Sequence, residues 1–301
     1  MRVHVARLKG NPIIRPEMDA RMGDNINGPS LIRAPEWLPG RLGRYYLYFA
    51  HHQGDYIRLA YADALEGPWS IYEPGTLTLE QSIFRGHVAS PDVHVDDEAR
   101  QIRMYYHGGA KPGQAIPQGE QGQGAAYGQL SGVALSQDGI HFRTLDTVVA
   151  SSYPRAFWLR GYWYVLSMPG LLFRSRDGLT GFEPGPTLFD ADFRHAAVRL
   201  AGERLTVYYS HVGDCPEHIL AAEIDVSGDW CAWRVGRPVS VVKPVTEYEG
   251  TDLPLRPSRR GWAPQRVRQL RDPGYFREGQ DAYLLYSVAG EHGLAIARLF
   301  G

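Results

Sequence analysis

Five short runs along the chain share one pattern of large aromatic and small apolar positions. They are Tyr45-Tyr-Leu-Tyr-Phe-Ala50, Ile102-Arg-Met-Tyr-Tyr-His107, Tyr162-Trp-Tyr-Val-Leu-Ser167, Leu205-Thr-Val-Tyr-Tyr-Ser210 and Ala282-Tyr-Leu-Leu-Tyr-Ser287. Each is too short for a helix and rich in residues that suit a pleated, half-buried surface. After each comes a variable loop and then a small-residue run: Ile57–Ala62, Gly132–Ser136, Leu171–Ser175, Ile219–Glu223 and Leu294–Arg298. The Asp138-Gly139 and Asp177-Gly178 pairs mark tight reversals, and edge-like pieces such as Pro68–Tyr72 and Trp230–Arg234 follow the third runs. A further extended piece precedes each aromatic run, beginning near Asn27, Val88, Tyr153, Arg194 and Leu270.

The unit is therefore four strands, repeated five times at roughly 60 residues, which is the plan of a propeller blade. The pattern predicts an all-β fold, a single five-bladed β-propeller domain over 1–301 with four-stranded antiparallel blades. The fifth unit runs out at Arg298, so Asn11–Pro16 is expected to pair beside Leu294–Arg298 and close the ring. One stretch breaks the rhythm: residues 108–129 are rich in Gly and Gln, with no periodic apolar face. A loop this long is either functional or a plain insertion. If functional, it acts as a lid or as a wall lent to a neighbouring subunit, which would make the protein a homo-oligomer.

Composition narrows the function. The formal net charge is -1, against the basic excess of a nucleic-acid surface. No apolar run approaches a membrane span, and the N-terminus lacks the apolar core of a secretory signal, so a cytoplasmic protein is expected. Cys215 and Cys231 are the only cysteines, with no spacing that suggests a disulfide framework or a metal site.

In a propeller, inner-strand starts and second-to-third-strand loops open on one axial face. The repeat therefore gathers Asn27, Asp92, Arg155, His195 and Asp272 with His51, His52, Asp55, His107, Met168, His211, Asp214, Glu217, Glu291 and His292. Such polar density exceeds what a purely structural ring needs. Asp92 and Asp272 are the first candidates for paired carboxylates. Asp272 is held extended by Pro273 and is expected to be kept ionised by Arg271, as suits a base or charge stabiliser.

With Leu270-Arg-Asp-Pro273, Ser90-Pro-Asp92 and the blade tails Ala134–Gly139 and Arg174–Gly178, the chain resembles five-bladed glycoside hydrolases, the broad group of families 32, 43, 68, 117 and 130. The resemblance implies cleavage of a glycosidic bond, often at a chain end, by axial carboxylates. Tyr248-Glu249-Gly250 resembles the element carrying the general acid in family 43, whereas family 117 implicates a histidine, for which His195 is the counterpart. Asn25-Ile-Asn27-Gly-Pro29 lies where families 32 and 68 carry a nucleophilic Asp, yet no carboxylate follows Asp24 there. That favours inversion and leaves Asn27 to bind a sugar hydroxyl.

The expectation is an inverting, exo-acting glycoside hydrolase on a carbohydrate substrate, with Asp92, Asp272, Glu249 and His195 as catalytic candidates. Asn27, His51, His52, Asp55, His107, Arg155, His211 and Arg271 are the substrate-binding candidates. In such a mechanism the carboxyls of Asp92 and Asp272 would share one pocket, roughly 6.5–9.5 Å apart. No cofactor is required, and axial Ca²⁺ or plain water remain equal alternatives. A phosphorylase and a non-catalytic sugar-binding propeller are the competing readings.

Overall fold

The computed structural model describes residues 3–117 and 128–300. These form five four-stranded antiparallel sheets around one axis. The first strand in the chain, β1 (His4–Arg7), belongs to the last sheet. Then come β2 (Asn27–Arg33), β3 (Tyr45–Ala50), β4 (Tyr56–Ala62) and β5 (Ser70–Thr78) as blade one. Blade two is β6 (Arg85–Asp96), β7 (Gln101–Gly109), β8 (Gln129–Ser136) and β9 (Arg143–Ser151). Blade three is β10 (Arg155–Leu159), β11 (Tyr162–Ser167), β12 (Leu171–Ser175) and β13 (Glu183–Thr187). Blade four is β14 (Phe193–Ala201), β15 (Arg204–His211), β16 (Ile219–Asp225) and β17 (Val239–Val242). Blade five is β18 (Arg271–Glu278), β19 (Asp281–Ser287) and β20 (Leu294–Phe300), with β1 outermost.

The aromatic runs are the second strands, and they are buried because each is covered on both faces by its neighbouring blades. Tyr46, Tyr48, Phe49, Tyr105, Tyr106, Tyr208 and Tyr286 are all within 1% of full burial. Buried tyrosines also tie blades together by their hydroxyls. Tyr48 donates to the Gly139 carbonyl at 2.7 Å, and Tyr105 donates to the Gly178 carbonyl at 2.8 Å. Both carbonyls belong to the Ser-x-Asp-Gly turn at the tail of the next blade, where the Asp accepts backbone N–H groups. The His141 side chain together with these donors at Asp138, and the backbone donors first at Asp177, hold both carboxyls at about 2, although burial opposes the shift.

Ring closure by the N-terminus is observed, but through a different segment from the one the sequence suggested. His4–Arg7 pairs with Ala297–Phe300. Asn11–Pro16 follows the inner half of β20 instead. The Asn11 side chain exchanges two hydrogen bonds with the Ile296 backbone, at 2.8 and 2.9 Å, and Ile14 makes a single bridge to Leu294. Pro12 and Pro16 lack the N–H groups of a ladder, so the proline-free stretch nearest the end takes the strand.

Two smaller differences have similar causes. Trp230–Ala232 is a 3₁₀ turn whose first N–H groups are capped by Asp229, and Val239–Val242 is the outer strand of blade four. Gly108, Gly109 and Gln129 are strand residues, paired across β7 and β8. A side chain at Gly108 would start 2.4 Å from the His87 carbonyl, so glycine there admits the close approach of β6. Of residues 108–129, on which the lid and oligomer expectation rests, 118–127 lie outside the described residues.

Candidate functional site at the axial pocket

Each inner strand enters the axis through one residue in the left-handed region: Gly28, Ser90, Tyr153, His195 and Asp272, with φ between +48° and +61°. In four blades the ladder shifts register at this residue; in blade three it lies two residues before the strand. Four of the five are followed by proline, as Gly28-Pro29, Ser90-Pro91, Tyr153-Pro154 and Asp272-Pro273. The kink turns one side chain per blade toward the axis, so the ring carries Gly, Ser, Tyr, His and Asp. A non-glycine residue in this region is costly and persists where its surroundings enforce it. Gly28 has no such latitude, because a Cβ there would lie 2.9 Å from the Ser90 Cα. Gly28→Ala should therefore destabilise the protein by about 1–3 kcal/mol, read as a fall in Tm. An unchanged Tm would mean that the ring is soft.

Four ring residues, Ser90, Tyr153, His195 and Asp272, line a cavity of about 150 Å³ together with His52, His107, Gln129, Met168, Arg194, Arg260 and Gly261. Asp272 is its only carboxylate among the described residues. The Asp272 Oδ1 lies 3.5 Å from His195 Nδ1. The Tyr153 ring sits 4.9 Å from that of His195 and 6.2 Å from that of His107. Asp272 Oδ2, His195 Nδ1, His107 Nδ1 and the Tyr153 hydroxyl are all buried without a hydrogen-bond partner among the described residues. Buried polar atoms left open in this way are costly unless something else meets them, and here they converge on one cavity.

Beneath the cavity lies a buried ionic layer. Arg271 bridges Glu217 at 3.0 Å and Glu291 at 2.9 Å, and Arg194 approaches Glu217 at 3.7 Å. Glu291 also accepts from Asn25 at 2.7 Å and Asn27 at 3.2 Å. Arg271 thus turns to the two glutamates and does not hold Asp272 ionised, as its neighbouring position in the sequence had suggested. Burial, reinforced by the nearby Glu291 charge, pushes the Asp272 carboxyl up to about 6. Glu291 is held low by His52, Arg271 and Asn25 despite its burial. Burial also keeps His107 and His195 well below the ordinary imidazole value, in His195 with help from Arg194 and Arg271. Around pH 6 the pocket presents a carboxyl that is about half protonated beside two neutral imidazoles.

Several candidates named from sequence lie elsewhere. Asp92 is two residues beyond the ring position held by Ser90, a step of roughly 6.6 Å along a strand. It lines a separate cavity on the axis, where it accepts from the Ala156 N–H at 2.7 Å and meets His94 at 2.8 Å. Arg155 lines that second cavity as well, with its guanidinium 4.4 Å from the Tyr153 ring centroid. Asp92 and Asp272 thus line different cavities. Glu249 is fully buried away from the pocket. It pairs with Arg7 at 2.7 Å, accepts from Tyr286 at 2.9 Å, and takes the Val245 and Thr246 N–H groups as a helix cap. Asn27 and Arg271 act below the pocket, on the glutamates, and not on its wall. His51 accepts the Gln53 N–H, His211 faces Asp190 at 3.1 Å, and Asp55 lines a surface hollow beside blade one. Of the named residues, Asp272, His195, His52, His107 and Met168 do line the pocket. Ser90, Tyr153, Arg194, Arg260 and Gly261 were missed, whereas Gln129 ends the segment expected to wall the site. The x-Pro repeat marks Ser90 and Tyr153 directly in the sequence.

Among the described residues no helix is long and apolar enough to cross a membrane. Nor does any group of three or more His, Cys, Asp or Glu side chains there have the arrangement to hold a metal ion.

No protein-family model matches the chain. The uncharacterized protein R118 of Acanthamoeba polyphaga mimivirus is 36% identical over 332 aligned positions, covering 98% of this chain and 90% of that protein. Among solved structures, a glycoside hydrolase of family 130 described as targeting β-1,2 mannosidic linkages in Candida mannan superposes with a TM-score of 0.64 at 13% identity. That match covers 98% of this chain and 93% of the other. A glycosyl hydrolase of Bacteroides ovatus gives 0.64 at 12% identity, covering 98% and 92%, and a family 43 enzyme of Xanthomonas citri gives 0.59 at 12%, covering 92% and 88%. The chain therefore belongs to one family with the mimivirus protein R118, and it has the five-bladed propeller fold of glycoside hydrolase families 43 and 130.

Proposed function

We propose that this chain is a glycoside hydrolase that removes a terminal sugar with inversion, using Asp272 as the general acid. The observation that carries the reading is the buried Asp272 carboxyl, raised to about 6 and with one oxygen unpartnered at the pocket wall. Glycosidic cleavage needs a carboxylic acid that is still protonated near neutrality to protonate the leaving oxygen. The assignment reverses the base role expected from Arg271. His107, neutral and with a free Nδ1 on the same pocket, takes the proton of the attacking water. His195 positions the acid. With no second carboxylate on the wall among the described residues, none of them is placed to form a covalent glycosyl intermediate beside Asp272, which supports inversion. The 150 Å³ cavity is about half the smallest usual ligand pocket and suits one sugar ring, hence action at a chain end.

The fold neighbours support glycoside chemistry as the class, and the mannoside-directed and family 43 enzymes among them set the first substrates to try. The test is a screen of aryl-glycosides and oligosaccharides read by product NMR, with and without inorganic phosphate. Free reducing sugar of inverted configuration, formed without phosphate, is the expected result. The pH profile of kcat should fall as pH rises through about 6, because the acid must be protonated. Turnover that requires phosphate would make the enzyme a phosphorylase, a reading to which Arg194 and Arg260 on the pocket wall lend support. Binding without turnover on any glycoside would leave a sugar-binding propeller.

A further inference from the structure

The second axial cavity, about 200 Å³, carries chemistry that the upper pocket does not use. Its wall holds an acceptor, Asp92, whose side chain is 14% exposed, beside His94 at 27%. It also holds a donor. Arg155 is 2% exposed, spends its Nη1 on the carbonyls of Ser90, Pro91 and Pro154, and leaves Nη2 without a partner among the described residues. Outward from the cavity, the His94 ring packs edge-on to Trp163 at 5.4 Å. Trp163 in turn contacts Trp158 at 6.0 Å, and Trp158 is 49% exposed, the most exposed Phe, Tyr or Trp ring among the described residues.

We propose that this cavity and its indole shelf form a second saccharide site, distinct from the catalytic pocket. A sugar residue offers hydroxyls that donate to Asp92 and accept from Arg155, and an apolar ring face that lies on an indole. A simple anion would meet the Asp92 carboxylate, and a simple cation the Arg155 guanidinium, so a neutral ligand with both donors and acceptors fits best. The cavity holds one ring, and a second ring of the same ligand would extend past His94 onto Trp163 and Trp158. The site stands whether or not the upper pocket is catalytic.

The test is tryptophan fluorescence titration with D-glucose, D-galactose, D-mannose, maltose and cellobiose, in the wild type and in Asp272→Asn. At least one sugar should give a saturable change with the same Kd in both proteins. Asp92→Asn and Trp158→Ala should each weaken that binding by tenfold or more while leaving kcat of any activity found at the upper pocket within twofold. Trp158 is a surface residue, so Trp158→Ala remains informative if Asp92→Asn folds poorly. Absence of saturable binding by every sugar, or wild-type affinity in Trp158→Ala, would overturn the second site.

Discussion

Asp272→Asn is expected to remove between about one-hundredfold and ten-thousandfold of kcat, the usual contribution of a positioned general acid, and to make the protein more stable above pH 6. The two effects have one cause. In the folded chain the carboxyl titrates at about 6, against an ordinary value of 3.8. The folded state therefore holds the proton more tightly than the unfolded one. Its contribution to stability is complete below the unfolded value and is lost as pH rises through about 6. Two pH units correspond to about 3 kcal/mol, an order-of-magnitude figure for a fully buried group. Asn cannot ionise, keeps the shape and tolerates the left-handed backbone. Thermal melts of the two proteins should thus converge near pH 4 and separate towards pH 8, with the variant melting higher. Parallel curves would refute the raised carboxyl. Turnover close to wild type would remove Asp272 from the mechanism whatever the melts show.

Deleting the first eight residues is expected to cost the protein its cooperative fold. The deletion removes β1, strips the outer edge of β20, and takes away Arg7, the only charged partner of the fully buried Glu249 among the described residues. Leaving a buried carboxylate without its guanidinium costs about 3–5 kcal/mol, a large share of the roughly 5–15 kcal/mol that holds an ordinary domain. The lost strand pairing adds to it. Near-UV circular dichroism of the truncated chain should show no sharp thermal transition at any temperature where the full chain has one. Arg7→Ala in the full chain should show a smaller loss with the transition still sharp, because the strand and the other bonds to Glu249 remain. A truncated chain that melts like the intact one would mean that the other four blades hold the fifth in place without closure.

The strand repeat was legible because burial on both faces imposes the same aromatic pattern on every second strand. Asp272 and His195 were legible for the same reason, since they begin inner strands at equivalent positions. Asp92, read as an inner-strand start like Asp272, lines a different cavity. The kink in β6 falls at Ser90, and two residues along a strand restore the same face at a different depth. Glu249-Gly250 was misread because a glutamate before a glycine serves equally well to cap and end a short helix, as it does here. The repeat brought Glu217 and Glu291 to the same face as Asp272, but did not reveal their pairing with Arg271. The two glutamates lie in loops of two other strand pairs, and only the closed ring brings them beneath Asp272.

The placement of β1 also governs the order in which the protein can be completed. β1 pairs His4 with Phe300, so the fifth blade joins the earliest-made strand of the ring to the latest-made one. Blades one to four draw their strands from contiguous stretches and can form as they emerge, whereas the fifth must wait until β20 has emerged. Until then Glu249 lacks the strand that brings Arg7 to it. A chain interrupted before β20 would therefore carry four finished blades and two open edges, the species most prone to pair with another copy of itself.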